Sequence, residues 1–289
     1  MELKLKNRIL KLLKIDNDKV LYFRRNHIGY WSETYVLKTQ DAKYLIKKFK
    51  INDEIKFNSS VDLNNMFEKE LDVMNKCQDL VVNNVKVPNV LKIDDKNKIY
   101  VQRFIDGINL FSFLNKVRKG DVIKEDYKNL FQQMGIFLAL FHKHFNHNKL
   151  NNNNNNCLLF GDLNGKNFLI NNDFEVYFID PAPKEGNLYE DLAQFSVNFF
   201  PFNFFKNLYV SKKNNAAYLS SFLLGYEKEI GFEISLKLLT KYIILNLENQ
   251  KKFLLNSFSY KIKKRLINAY INYLIRSIKN GKISIKLYR

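Results

Sequence analysis

The stretch that decides the reading of this chain is Phe160-Gly161-Asp162-Leu163-Asn164-Gly165-Lys166-Asn167-Phe168-Leu169-Ile170. Asp162 precedes Asn167 by five residues, and an apolar, strand-like triplet follows. Asn171-Asn172-Asp173 has turn chemistry. Glu175-Val176-Tyr177-Phe178-Ile179-Asp180-Pro181 is then a second apolar strand ending in an acid. Two short strands joined by a turn set Asn167 and Asp180 side by side. A carboxylate and an amide oxygen at adjacent strand ends are the hard oxygen donors that Mg2+ takes. Asp162, on the loop ahead of Asn167, is placed to accept a proton from an attacking hydroxyl. Standing alone, Asp162 and Asn167 are equally compatible with an Asx turn and no chemistry.

The rest of the composition narrows the setting. The chain has 289 residues, with 47 Lys and Arg against 29 Asp and Glu, a formal net charge of +18. A hydrophobic content of 46% supports a real core and excludes disorder of the whole chain. No apolar run approaches the ~18 residues of a membrane span. The start, MELKLKNRIL, alternates Leu and Lys without an apolar core, so no signal peptide is expected. Two cysteines, Cys77 and Cys157, make neither a disulfide framework nor a zinc pattern, which points to a reducing cytosol. Lys, Asn, Ile, Leu and Phe are abundant and Ala is scarce. AT-rich coding gives that bias by itself. The basic balance therefore has two readings, coding bias or an anionic partner.

Periodicity gives the organisation. Residues 1–19 read as an amphipathic helix, with Leu3, Ile9, Leu10, Leu12 and Leu13 against a Lys face. Strands are expected at 20–23, 33–39, 44–50, 90–93 and 98–104, with a helix at 62–80. From Asp106-Gly107 onward the pattern is mainly helical: 110–119, 125–145, 188–200 and most of 215–280. A strand-rich part precedes a helix-rich part, so the fold class is α+β with the classes segregated into two lobes. The expected division is 1–101, a short connection at 102–107, and 108–289. Asn151–Asn156 reads as a solvated loop.

With these pieces in order, the chain resembles the protein-kinase-like phosphotransferases. The D-x-x-x-x-N spacing of Asp162 and Asn167 and the later Asp180 match the family's catalytic loop and metal-binding Asp. The resemblance implies a bilobal fold with an antiparallel-sheet N-lobe plus one helix and a helical C-lobe. It implies ATP and Mg2+ as cofactors, Asp162 as catalytic base, and Asn167 and Asp180 as metal ligands. Tyr44-Leu45-Ile46-Lys47-Lys48-Phe49 resembles the third strand of such folds, which makes Lys47 the phosphate-contacting lysine and turns Lys48 to the other face. In Phe67-Glu68-Lys69-Glu70-Leu71-Asp72-Val73-Met74, Glu70 is the implied partner of Lys47 and Glu68 the competitor. Backbone groups near Gln102, Arg103 and Phe104 would hold adenine. The glycine-rich loop is degenerate, since Gly29-Tyr30-Trp31-Ser32-Glu33-Thr34-Tyr35 has one Gly; backbone N–H groups with Ser32 or Thr34 would cradle the phosphates. Phe160 stands where the family has His, and Pro181 replaces the Phe of D-F-G.

Asp191 follows Asp180 after only eleven residues, in Leu188-Tyr189-Glu190-Asp191-Leu192-Ala193. That resembles aminoglycoside-phosphotransferase-like enzymes and lipopolysaccharide kinases. The gap leaves no room for a long activation loop, so a small-molecule or sugar hydroxyl is the expected acceptor, and a glycolipid is included. Asp191 is expected to bond catalytic-loop backbone. Residues 249–289 hold eleven Lys or Arg and no acid. A basic helix at 257–280 can lie on an anionic membrane or dock on the lobe with a solvated Lys face. The Phe199–Phe205 cluster is expected in the core. His142, His144 and His147 read as helix-end residues without a metal. Nucleic-acid binding has charge but no recognised module. A cytoplasmic protein is expected, with contact at the inner membrane face as the variant. A pseudoenzyme of this fold, and a kinase of proteins or antibiotics, are the other readings.

Overall fold

A computed structural model of the chain describes residues 2–29, 31–50, 63–118, 125–146, 150, 155–199, 212–257 and 261–281. The poly-Asn run before Asn155, His147, and the aromatic run beyond Phe199 lie outside the described residues. The chain divides into two compact units: Met1–Asp79 with Lys86–Gly107, and Leu80–Val85 with Ile108–Arg289. The α+β class and the segregation of sheet from helices are as the sequence led one to expect.

The first unit is built on β1 (Val20–Ile28), β2 (Ser32–Thr39), β3 (Lys43–Phe49), β5 (Val90–Asp94) and β6 (Ile99–Arg103). They form one antiparallel sheet in the order β1-β2-β3-β6-β5. The inner strands are buried on both faces, because helices cover both. Helix α1 (Glu2–Leu13) puts Ile9 and Leu10 against Tyr35, Leu37, Ile46, Ile99 and Val101. Helix α2 (Leu63–Lys76) buries Phe67, Glu70, Leu71, Val73 and Met74, with Phe67 edge-on to Phe49 at 5.3 Å. Both helices expected before residue 101 are present.

Helix α1 is shorter than its periodicity. Lys14 takes a left-handed φ of 57°, its N–H reaches Lys11 O, and the Ile15 N–H reaches Leu10 O. That six-to-one closure ends the helix. Strand β1 is longer than expected, because a polar, Arg-bearing edge strand lacks clean alternation.

The second unit has β4 (Val85–Lys86) at its junction, then β7 (Ile108–Asn109), α3 (Leu110–Arg118), α4 (Glu125–His144), β8 (Asn156–Leu159), β9 (Phe168–Ile170) and β10 (Val176–Phe178). It continues with β11 (Lys184–Asn187), α5 (Leu188–Val197), α6 (Lys212–Ile230), α7 (Leu236–Ser257) and α8 (Lys261–Lys279). Strands pair as β4-β10-β9-β7 and β11-β8. Helices α4 and α6 cross closely because neither Gly135 nor Gly225 carries a side chain. A Cβ at Gly135 would stand 2.0 Å from Phe222 O, and one at Gly225 2.2 Å from Gln132 O. The core uses the abundant Phe: Phe195 stacks on Phe222 at 3.8 Å, and Phe168 meets Phe178 edge-on at 4.7 Å. Phe199 packs on Phe131 and Phe195, as expected of a core residue. Among the described residues no helix is long and apolar enough to cross a membrane.

Candidate active site

The first unit carries a buried ion pair. Lys47 Nζ lies 2.6 Å and 2.9 Å from the two carboxylate oxygens of Glu70, and the Tyr100 hydroxyl donates to Glu70 Oε1 at 2.6 Å. Lys47 and Glu70 are 6% and 4% exposed. A buried pair survives only when geometry and further hydrogen bonds offset desolvation; here Tyr100 supplies one, and the Phe49 ring lies 5.0 Å from the ammonium. Glu68 is exposed and faces Lys98 instead, so the choice between the two glutamates falls on Glu70.

Strand register collects further groups on the Lys47 face. Thr34 is opposite Lys47, and Ser32 is opposite Phe49. Directly opposed residues share a face, so both hydroxyls lie on the side of Lys47. Thr34 Oγ1 accepts from Asn26 Nδ2 at 3.3 Å. The β1–β2 hairpin is tied down by Lys50, whose ammonium donates to Gly29 O at 2.7 Å and whose N–H reaches Trp31 O.

The 102–104 segment needs a correction. The Phe104 N–H donates to Lys43 O at 2.9 Å, so it is committed to the sheet. Backbone groups alternate sides along a strand. Arg103 and its second neighbour Ile105 therefore turn their backbone groups away from β3, on the side where β5 has ended.

In the second unit, β9 and β10 pair with Phe168 opposite Phe178, and the Ile179 N–H bonds Asn167 O at 2.9 Å. Asn167 and Asp180 thereby stand at adjacent strand ends, as the spacing led one to expect. Asn167 Nδ2 donates to Asp162 O at 2.9 Å and to Asp162 Oδ2 at 2.8 Å. The Asn167 amide nitrogen is thus committed to Asp162, which leaves its carbonyl oxygen on the other side of the amide group. The Asx turn here belongs to Asn164, whose Oδ1 accepts from the Lys166 N–H. Asp162 and Asp180 have φ of 43° and 51°, left-handed values that few non-glycine residues adopt. Gly161, at φ 69°, has its Cα hydrogen facing Ala182 O, where a Cβ would stand at 2.1 Å.

Helix α5 holds the loop. Its N-terminus is fixed by a capping box between Asn187 and Glu190. Asp191 accepts from the Phe160 N–H at 2.7 Å and the Gly161 N–H at 3.1 Å. Gln194 Oε1 accepts from the Leu163 N–H at 3.0 Å. Asn198, just past the helix, accepts from the Gly165 N–H and donates to Leu163 O, both at 2.8 Å. Three side chains at i, i+3 and i+7 thus bracket Asp162. The sequence reading found Asp191 and missed the other two; the signal was a polar stripe on an otherwise apolar helix.

His142 lies in the last turn of α4, the helix-end position expected of it, and there it is tied to the Asp162 loop. It is fully buried, with Nε2 3.1 Å from Asp191 Oδ2 and Nδ1 2.7 Å from the Tyr226 hydroxyl. A carboxylate can only accept, so Nε2 carries the hydrogen. Burial holds the Tyr226 phenol well above its ordinary range, so it keeps its O–H to donate. An imidazole from α4 thus orients the carboxylate that holds the Phe160 and Gly161 N–H groups, while the Phe160 ring packs on Phe141 and Phe178.

The loop is expected to be sensitive at its far end. Asn198→Ala leaves the Gly165 N–H and Leu163 C=O without their partner and should cost about 1–3 kcal/mol in urea unfolding. Asn198→Asp, which can still accept from Gly165, should cost less. Equal losses in the two variants would contradict this pairing.

Other chemistry is poorly supplied. Burial pushes the Cys77 thiol up to about 12 and the Cys157 thiol further, so neither is a ready thiolate. Among the described residues no three or more His, Cys, Asp or Glu side chains gather to hold a metal.

No protein-family model matches the sequence, and no curated protein does. Solved structures do match. An amicoumacin kinase in complex with AMP-PNP, Ca2+ and Ami is 14% identical, with TM-score 0.61 over 100% of this chain and 98% of that one. A spectinomycin phosphotransferase in complex with ADP and spectinomycin is 12% identical, with TM-score 0.55 over 96% and 93%. A putative fructosamine-3-kinase from Haemophilus somnus 129PT is 14% identical, with TM-score 0.50 over 92% and 96%. These likenesses show the fold, a kinase-like α+β fold, and the fold alone.

Proposed function

We propose that the chain is an ATP-dependent phosphotransferase that moves the γ-phosphate onto a hydroxyl of a small molecule. The observation that carries the reading is the grouping of Asp162, Asn167 and Asp180 on one loop and one strand pair, with two of the three in strained backbone. In this reading Lys47, held by Glu70 and Tyr100, contacts the nucleotide phosphates. Ser32 and Thr34 add donors on the same face. The backbone of Arg103 and Ile105 meets the base. Asp162 accepts the proton of the acceptor hydroxyl as its oxygen bonds the γ-phosphorus and the bond to the β-phosphate oxygen breaks, releasing ADP.

Asn167 Oδ1 and the Asp180 carboxylate would hold a divalent cation, proposed as Mg2+. Two protein oxygens suit an ion that keeps phosphate and water in its other positions, and such an ion, when bound, neutralises phosphate charge.

The likeness to an amicoumacin kinase, a spectinomycin phosphotransferase and a putative fructosamine-3-kinase supports a small-molecule acceptor. The net charge of +18 disfavours a polycation and favours a neutral or anionic acceptor, such as a sugar or a glycolipid. Helix α8 buries Ile271, Leu274, Ile275 and Ile278 and exposes Arg265, Arg276 and Lys279. Contact with an anionic inner membrane face would then use charge and not insertion.

The deciding experiment incubates the protein with γ-labelled ATP and a panel. The panel holds sugars, a fructosamine, spectinomycin, a generic protein substrate, and a glycolipid in anionic vesicles at low and high salt. Label on a sugar or on the glycolipid is the expected result. Label on the protein substrate alone would overturn the acceptor class. No transfer with intact ADP binding would favour a binding module of the same fold, a reading prompted by the single glycine in the β1–β2 hairpin.

A further inference from the structure

One polar group on the Lys47 face of the sheet is left unanswered by its neighbours. Gln102 is 3% exposed, and its carboxamide oxygen has no hydrogen-bond partner among the described residues. Across the two ladders its neighbours are Leu45 on β3 and Val90 on β5, whose side chains cannot hydrogen-bond. A buried, unpaired carboxamide costs free energy that a Met or Leu of similar size would not. Natural structures leave few such groups, and each calls for a reason.

The position supplies one. Tyr100 is opposite Lys47, and Gln102 lies two residues further along β6, about 7 Å on, with its side chain on the same face. It directly precedes Arg103 and Ile105, whose backbone groups turn away from β3. An adenine amino group has two N–H bonds. One suits the Arg103 carbonyl, and the other needs a second acceptor on the Lys47 side. We propose that the Gln102 carboxamide is that acceptor and reads the substituent at C6 of the purine. The proposal rests on the reading of the first unit as the nucleotide site. No protein group fixes which way the amide faces, so its oxygen can turn to the amine. Guanine presents a carbonyl at C6, which would meet the Arg103 carbonyl with no hydrogen between them.

Calorimetric titration of the whole chain with ADP, purine-riboside diphosphate, which lacks the amine, and GDP tests this without turnover. Wild type should bind ADP about tenfold more tightly than purine-riboside diphosphate. In Gln102→Met that ratio should fall to about threefold, because the amine loses its bond to the carboxamide and keeps the one to the Arg103 carbonyl. The melting temperature of Gln102→Met without nucleotide should be unchanged or raised, since an unpaired polar group is gone. A tenfold ratio persisting in Gln102→Met overturns the proposal and leaves the nucleotide site standing. A lowered melting temperature makes Gln102 structural and also overturns it. GDP binding as tight as ADP overturns the adenine assignment. If neither ADP nor its analogue binds wild type, the nucleotide reading itself falls, and this one with it.

Discussion

Asp162→Asn should lower turnover in the phosphotransfer assay by about 10²–10⁴-fold. Its unfolding free energy should stay within about 1 kcal/mol of wild type, the usual range for a substitution that breaks no buried contact. The substitution suits the site. Asp162 is exposed and has φ 43°, a left-handed value that Asn adopts more readily than other side chains. An Asn there can still accept from Asn167 Nδ2, so the loop keeps its shape. What it cannot do is accept a proton at a carboxylate. Asp162→Ala would mix chemistry with strain, since Ala tolerates this φ poorly. Asp180→Asn, at φ 51°, is the matching control for the proposed cation, because it keeps an oxygen donor and removes a charge. Full turnover in purified, folded Asp162→Asn would remove Asp162 from the chemistry.

Glu70→Ala should cost about 3–5 kcal/mol of stability, read from urea unfolding. Glu70 accepts three hydrogen bonds, two from Lys47 and one from Tyr100, with all three residues buried. Removing it strips a buried ammonium of its carboxylate, and that loss exceeds the worth of the intact pair. The double variant Lys47→Met, Glu70→Leu should therefore be more stable than Glu70→Ala, although it deletes more native contacts. A loss below about 1 kcal/mol in Glu70→Ala would mean that water reaches the pair, contrary to its burial. The same experiment separates stability from function, since the double variant folds but lacks the proposed phosphate-contacting Lys47.

Several features were legible because they are short-range. The β9–β10 pairing follows from two apolar triplets and a turn, and it brings Asn167 to Asp180 without help from elsewhere in the chain. The alternation in β3 sends Lys47 and Lys48 to opposite faces, as period two requires. Strand β11 was not legible. Lys184-Glu185-Gly186-Asn187 has no apolar alternation, and it is a strand because β8 lends it backbone partners. The two covering helices of the first sheet were half legible. Helix α1 showed its apolar stripe, but nothing local says which face of which sheet that stripe meets.

The sequence by itself determined the class of fold, the order of the elements and the spacing of Asp162, Asn167 and Asp180, because all three depend on residues a few positions apart. Only the tertiary structure decided that His142 on α4 and three polar side chains of the α5 stripe hold the Asp162 loop, and that the Phe104 N–H is already taken. Those choices join groups far apart in the chain. They are fixed by which buried donor has an acceptor within reach once the helices have packed, and that is a property of the whole core.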